Sequence, residues 1–263
     1  MRWKAAWLVV LVCAAACAGT RPGAALRPHA GSRPNSAPPA PSPAPAAPVL
    51  ETTDAATILA GVRERENDVH SLRATFESIT TENDEIQRES DGILLVRKPD
   101  MFRLRLTTPF GLTAFDYLSR PDGVHVVSPY AASDAAHASP LPFSEDELRA
   151  IFLRGDQAFP EQCAGTIARP DELTVDCRAR SGALLRTIII DVPTGQIREE
   201  RSYRDGELSL LLQNDDYRAA GPAYLPYRIV LTYVPTNTRV DILIRSYEVN
   251  PQLDERLFAP VAG

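Results

Sequence analysis

The stretch MFRLRLT, residues 101–107, decides the fold class of this chain. Its apolar residues alternate with arginine and threonine, and a period of two is typical of a β-strand that buries one face. The same alternation appears in residues 227–233 and 240–245. Hairpin signals separate such runs at residues 121–123, 193–195, 205–206 and 236–237. The pattern predicts an antiparallel meander of about ten short strands with one apolar face.

Two helices are predicted beside these strands. Thr53 is placed to cap a first helix, whose apolar residues run from Ile58 to Val69 at roughly helical spacing. A capping-box pattern beginning at Ser144 predicts a second helix over residues 145–154. We therefore expect a mainly β fold with a few helices. Its curved antiparallel sheet wraps around the helices, an arrangement that leaves room for an apolar cavity.

Cys17 lies between an export signal and a tether. Basic residues, an apolar run and three alanines precede it, which is typical of a secretory signal over residues 1–16. The cysteine at this position resembles the lipobox of bacterial lipoproteins, with Ala14 where leucine is usual, and implies lipid attachment at Cys17. An ordinary secreted protein cut at Ala16 or later is the alternative. The apolar run is too short for a stable transmembrane span.

Residues 17–50 form the lipidated cysteine and its tether. Nine prolines between Pro22 and Pro48 alternate with small residues, so the segment buries too little apolar surface to fold. An extended tether of this length reaches roughly 100 Å at about 3.1 Å per residue. The folded domain is then residues 51–263.

The two cysteines of this domain, Cys163 and Cys177, are predicted to form a disulfide. They flank a turn sequence at residues 169–172, so a hairpin turning there sets them opposite each other. An exported protein meets the oxidising conditions in which such bonds persist. Metal binding is disfavoured because no histidine or second cysteine pair lies nearby in the sequence.

Charge and motifs exclude several classes of function. Loss of Arg2 and Lys4 with the signal leaves 26 basic residues of the original 28 against 34 acidic ones. A net charge of this sign argues against a nucleic-acid partner. We find no nucleophile elbow, no zinc-binding histidine pair and no phosphate-binding glycine loop. The sequence predicts a protein that is not an enzyme and uses no metal or other cofactor.

Residues 100–113, DMFRLRLTTPFGLT, resemble the LolB family of outer-membrane lipoprotein receptors. In that family a strand rich in leucine and arginine runs into a loop that reads Thr-x-Pro-Leu-Gly-x-Thr, which residues 107–113, TTPFGLT, match. The turn RPDGV at residues 120–124 is also similar to that family. Residues 97–100, RKPD, and 254–260, DERLFAP, are similar to the related LolA periplasmic carriers. The resemblance implies an unclosed β-barrel, capped by helices, whose cavity holds acyl chains.

The resemblance also implies an exposed apolar loop that helps place lipoproteins in the membrane. Phe110 is the matching residue, and Leu112 extends the same tip. A core position at a strand end is the alternative for Phe110, but the flanking Pro109 and Gly111 favour a tight turn that pushes the side chain outward.

The cavity candidates are the residues that strand alternation places on the inner face, and packed core is the alternative for each of them. They are Phe102, Leu104, Leu106, Phe115, Tyr117, Ile188, Ile190, Leu208, Leu210, Ile229, Leu231, Ile242 and Ile244.

The resemblance thus implies an outer-membrane lipoprotein on the periplasmic face that receives lipoproteins or lipids and aids their insertion. Its expected partners are acyl chains or lipoproteins, the membrane and a periplasmic LolA-like carrier, and we expect a monomer. A sensor or structural envelope lipoprotein that binds a protein partner stays open as the alternative, because one fold hosts several functions.

Overall fold

The computed structural model describes residues 54–127 and 163–260. In this part of the chain, one α-helix and two short 3-10 helices accompany twelve strands of a single antiparallel sheet. The helix α1 is Ala55–Asp68, and the 3-10 helices are Val234–Thr236 and Glu255–Phe258. The strands are β1 Ser71–Glu82, β2 Glu85–Arg97, β3 Met101–Thr107, β4 Thr113–Arg120, β5 Gly123–Val127, β6 Cys163–Arg169, β7 Glu172–Arg178, β8 Leu184–Asp191, β9 Gln196–Arg204, β10 Glu207–Ala220, β11 Ala223–Tyr233 and β12 Thr238–Val249. The mainly β expectation is confirmed, with more strands than the turn signals predicted.

The sheet consists of two meanders joined by the first and last strands. Its order is β5-β4-β3-β2-β1-β12-β11-β10-β9-β8-β7-β6, and every neighbouring pair is antiparallel. In the joining pair, Phe76 lies opposite Ile244 and Thr80 opposite Val240. β5 and β6 are the two edges, so the sheet is not closed into a barrel.

The four predicted turn sequences all connect consecutive strands. Asp205-Gly206 forms a two-residue turn between β9 and β10, where φ is 54° and 84°. Positive φ at both central residues gives the turn that matches the right-handed twist of a hairpin, and it suits aspartate followed by glycine. Local turn chemistry therefore sets the register of this hairpin.

The first predicted helix is present, but its cap is Asp54 and not Thr53. The Asp54 carboxylate accepts hydrogen bonds from the backbone N–H and the hydroxyl of Thr57, at 2.9 Å and 2.6 Å. The helix ends at Asp68, so Val69 lies just outside it. The second predicted helix, residues 145–154, lies outside the described residues. None of the described helices is long and apolar enough to cross a bilayer.

Helix α1 packs on one part of the inner face of the sheet. Its buried residues Ile58, Leu59 and Val62 join a core with side chains of β7, β8 and β9. The predicted disulfide belongs to this core, since Cys163 and Cys177 are opposite in the β6–β7 register and bonded, with Cα atoms 4.0 Å apart. A larger core fills the space between β1–β4 and β10–β12.

The C-terminal segment covers the outer face of β2–β4. Phe258 is fully buried there and packs with Leu95 and Leu118. Arg103 donates to the backbone carbonyls of Leu257 and Ala259 at 2.6 Å and 3.1 Å. This segment therefore buries outward-facing side chains that would otherwise meet water.

Asp116 binds two arginines beneath this segment. Its carboxylate accepts from Arg103 at 2.6 Å and 2.9 Å and from Arg105 at 2.7 Å and 3.1 Å. Burial acts to raise the pKa of Asp116, but the hydrogen bonds from both guanidinium groups outweigh it and hold that pKa below its ordinary value. The network links β3, β4 and the C-terminal segment.

We predict that Asp116→Asn lowers the free energy of unfolding at pH 7 by about 3 kcal/mol, because it leaves buried cationic charge without its anion. Because the pKa of Asp116 is lowered in the folded state, the stabilisation from its ionised carboxylate is complete above the ordinary pKa of 3.8. It is lost as the pH falls through the pKa of the folded state. The difference in the free energy of unfolding between wild type and Asp116→Asn should therefore become smaller as the pH is lowered, as measured by denaturant unfolding.

Asp122→Asn is the matched control, since Asp122 pairs with Arg120 at an exposed site and such pairs contribute under about 1 kcal/mol. A gap for Asp116→Asn that does not change between pH 7 and pH 3 contradicts the predicted role of the ionised carboxylate.

Candidate functional site: an apolar cavity and an exposed tip

A cavity of about 510 Å³ lies between the C-terminal half of α1 and the inner face of the sheet. β1, β2 and β9–β12 contribute its walls, together with the β8–β9 turn and the β10–β11 turn. The apolar side chains of its wall include Phe76, Leu94, Leu212, Ile229, Ile242 and Ile244. This volume falls within the roughly 300–1,000 Å³ of pockets that enclose one small ligand.

Three polar side chains of the cavity wall bond to the backbone. The Asn214 side-chain amide and the Tyr217 hydroxyl both donate to the carbonyl of Ile197, at 2.9 Å and 2.6 Å. The Tyr247 hydroxyl donates to the carbonyl of Pro226 at 2.8 Å. Because these groups bond to the backbone, the wall presents mainly ring and methyl surface to a ligand.

Charged residues border one end of the cavity. Arg65 and Glu66, in the last turn of α1, face Lys98, which follows β2. The Arg65 guanidinium donates to the carbonyl of Gly195 at 2.9 Å, and Lys98 donates to the carbonyl of Glu66. Burial lowers the pKa of Arg65 below its ordinary value, against the nearby carboxylates of Glu66 and Glu64. The cavity therefore has an apolar wall and a charged rim.

Gly92 shapes the wall from within β2. It lies opposite Phe76 on β1, and a Cβ added at Gly92 would stand 2.1 Å from the Phe76 ring. The missing side chain thus lets the end of the Phe76 ring occupy the space above Gly92 and leaves the cavity open beside it.

The predicted cavity residues divide into three groups. Ile229, Ile242 and Ile244 line the cavity. Leu208 is half-buried beside a register irregularity of β10 and lines neither cavity nor core cluster. The other residues are buried in the two core clusters away from the cavity wall: Phe102, Leu104, Leu106, Phe115, Tyr117, Ile188, Ile190, Leu210 and Leu231.

The β3–β4 turn exposes two apolar side chains. Phe110 is 89% exposed and Leu112 is 67% exposed. The N–H of Gly111 donates to the carbonyl of Thr108 at 2.8 Å, and Gly111 has a φ of 78°. This tight turn, with Pro109 at its second position, holds Phe110 at the apex and away from the core.

The tip and the charged rim of the cavity lie toward opposite strand ends. β3 ends at Thr107, which pairs with Asp91 of β2, and the tip continues beyond that point. The cavity residues Val96 and Lys98 lie at the other end of β2. The separation along the strand is roughly 20 Å, at about 3.3 Å per residue. Contact between the tip and another surface therefore leaves the charged rim accessible.

The alternation of apolar and polar residues along the strands could not predict that Arg65 and Lys98 border the cavity. Arg65 lies on a helix for which the sequence pattern predicted only the apolar face, and Lys98 lies after the end of a strand. Both reach the cavity only because β1, β2 and α1 come together in the fold. In the described residues no three His, Cys, Asp or Glu side chains are grouped so as to hold a metal ion.

Comparison with solved structures identifies the fold. A LolA superfamily protein from Nitrosomonas europaea matches 80% of this chain and 99% of its own, with a TM-score of 0.56 and 13% identity. A DUF1329 family protein from Desulfovibrio piger matches 78% and 95%, with a TM-score of 0.57 and 8% identity. A putative outer membrane lipoprotein-sorting protein domain from Vibrio parahaemolyticus matches 78% and 97%, with a TM-score of 0.50 and 15% identity.

No protein-family model matches the chain, and no curated protein matches it in sequence. The structural likeness is nonetheless shared across nearly the whole length of these three proteins. The chain therefore has the LolA-type fold, as the resemblance of residues 97–113 indicated.

We predict that Gly92→Ala narrows the cavity with little loss of stability. The added methyl group displaces the Phe76 ring, and the space open to that ring is the cavity itself. Binding of a fluorescent fatty-acid probe should fall at least about tenfold, while overpacking lowers the free energy of unfolding by about 1 kcal/mol.

Gly61→Ala is the matched control, because a Cβ at Gly61 meets only the end of the Arg65 side chain, at 4.0 Å. Equal probe binding by Gly92→Ala and wild type contradicts the expectation that this cavity holds acyl chains.

Proposed function

We propose that this chain is an outer-membrane lipoprotein that binds acyl chains and receives lipids or lipoproteins for insertion into the membrane. The observation that carries the proposal is the apolar cavity of about 510 Å³ inside a LolA-type fold. Each methylene group buried in such a wall contributes about 0.8 kcal/mol. Transfer of a chain breaks no covalent bond, so the protein acts as a binding protein and not as an enzyme.

The remaining parts of the molecule have roles in this proposal. Acylated Cys17 anchors the chain in the membrane, and residues 18–50 let the folded domain move away from the lipid surface. The exposed Phe110 and Leu112 contact the bilayer. The cavity end that carries Arg65 stays turned away from that contact and receives cargo from a LolA-like carrier.

We predict that Phe110→Glu separates delivery from binding. Delivery of lipoprotein or lipid to outer-membrane vesicles should fall at least about tenfold, because a carboxylate at the apex opposes entry into apolar surroundings. Stability should change by under about 0.5 kcal/mol, since the site is exposed. Binding of a fatty-acid probe should equal that of wild type, because Phe110 does not line the cavity.

Leu185→Glu is the control, because it introduces the same charge at an exposed leucine of β8. Unchanged delivery by Phe110→Glu removes the tip from the mechanism. A wild-type chain that binds no acyl probe and carries no lipid contradicts the proposal and favours a sensor or structural protein with a protein partner.

A further inference from the structure

We propose that the cavity selects acyl-chain lipids whose head group carries a single negative charge, a carboxylate or a phosphodiester, and that Arg65 is the principal cation that binds it. The inference rests on the proposed function, because it assigns a ligand class to the same cavity. Its basis is the charged rim at one end of an otherwise apolar wall.

Arg65 is held in place but keeps most of its hydrogen-bonding capacity. It lines the cavity, is half-buried, and donates to the carbonyl of Gly195 at 2.9 Å. Among the described residues no carboxylate lies within ion-pair distance of its guanidinium. A guanidinium has five N–H donors in a planar fork, and that fork suits a carboxylate or a phosphate. The carbonyl bond orients Arg65 and leaves its charge for a ligand.

Lys98 adds a second positive charge to the rim. Its ammonium donates to the backbone carbonyl of Glu66, a bond that holds the group beside the last turn of α1. Glu66 and Asp68 border the same end of the cavity. Their negative charges oppose a head group with several anionic charges, so the rim suits one with a single negative charge.

The order of residues along β2 aligns an amphiphile. Leu94 lies on the apolar wall, Val96 follows it on the same face, and Lys98 comes next at the rim. A lipid therefore meets methyl surface along its chain and cations at its head. A cavity with an apolar wall and a charged end can distinguish head groups, whereas a uniformly apolar cavity would not.

The test compares oleate with its neutral methyl ester. Both are titrated, below their aggregation range, into the full chain carrying Cys17→Ser, so that no lipid is attached to the protein itself. We expect oleate to bind at least about tenfold tighter than methyl oleate, as a charge-assisted hydrogen bond provides. Arg65→Met should reduce this ratio to near one by weakening oleate alone, and Lys98→Met should reduce it partly.

Arg63→Met is the matched control, because it removes a cation from the same helix at a residue that does not line the cavity. Equal affinity of the wild type for oleate and methyl oleate overturns head-group selection and leaves acyl-chain binding intact. Binding of neither compound overturns both this inference and the proposed function. The comparison in the wild type holds even if a variant fails to fold.

Discussion

The pairing of β1 with β12 is the contact on which the rest of the structure depends. It places Phe76 opposite Ile244, joining residues from the two ends of the folded domain. Without it the sheet would be two separate meanders, each with an apolar face open to water. An ion-pair cluster reinforces the junction on the outer face, where Arg245 of β12 contacts Glu77 of β1 and Asp91 of β2.

The cavity follows from how this wide sheet covers its inner face. Helix α1 covers the β6–β9 part, where Ile58 and Val62 are buried. The sheet covers much of the rest by curving, so that side chains of β1–β4 and β10–β12 pack on one another. A region between the last turns of α1 and the β1–β12 junction is left unfilled. Gly92 enlarges it by removing a side chain where Phe76 would otherwise be displaced inward.

Local patterns predicted those features that depend on neighbouring residues. Period-two alternation assigned residues 101–107 to a strand, and the symmetric placement of Cys163 and Cys177 about a turn predicted their bond. Non-local features escaped prediction. Alternation tells which face a side chain is on, but whether it meets another side chain or an open space depends on pairing across the sheet. Ile242 thus borders the cavity while Leu231, equally apolar and inward, is packed core. Arg103 is a further case, since an outward arginine became buried only when the C-terminal segment covered it.

Native mass spectrometry of the exported Cys17→Ser chain, purified from its own envelope without added lipid, tests the central claim most directly. A cavity of this size and lining predicts one lipid per chain, released on unfolding and rebound when lipid is added back to the refolded protein. A chain that is lipid-free as isolated, and gains no mass when incubated with an excess of fatty acid, would contradict the account.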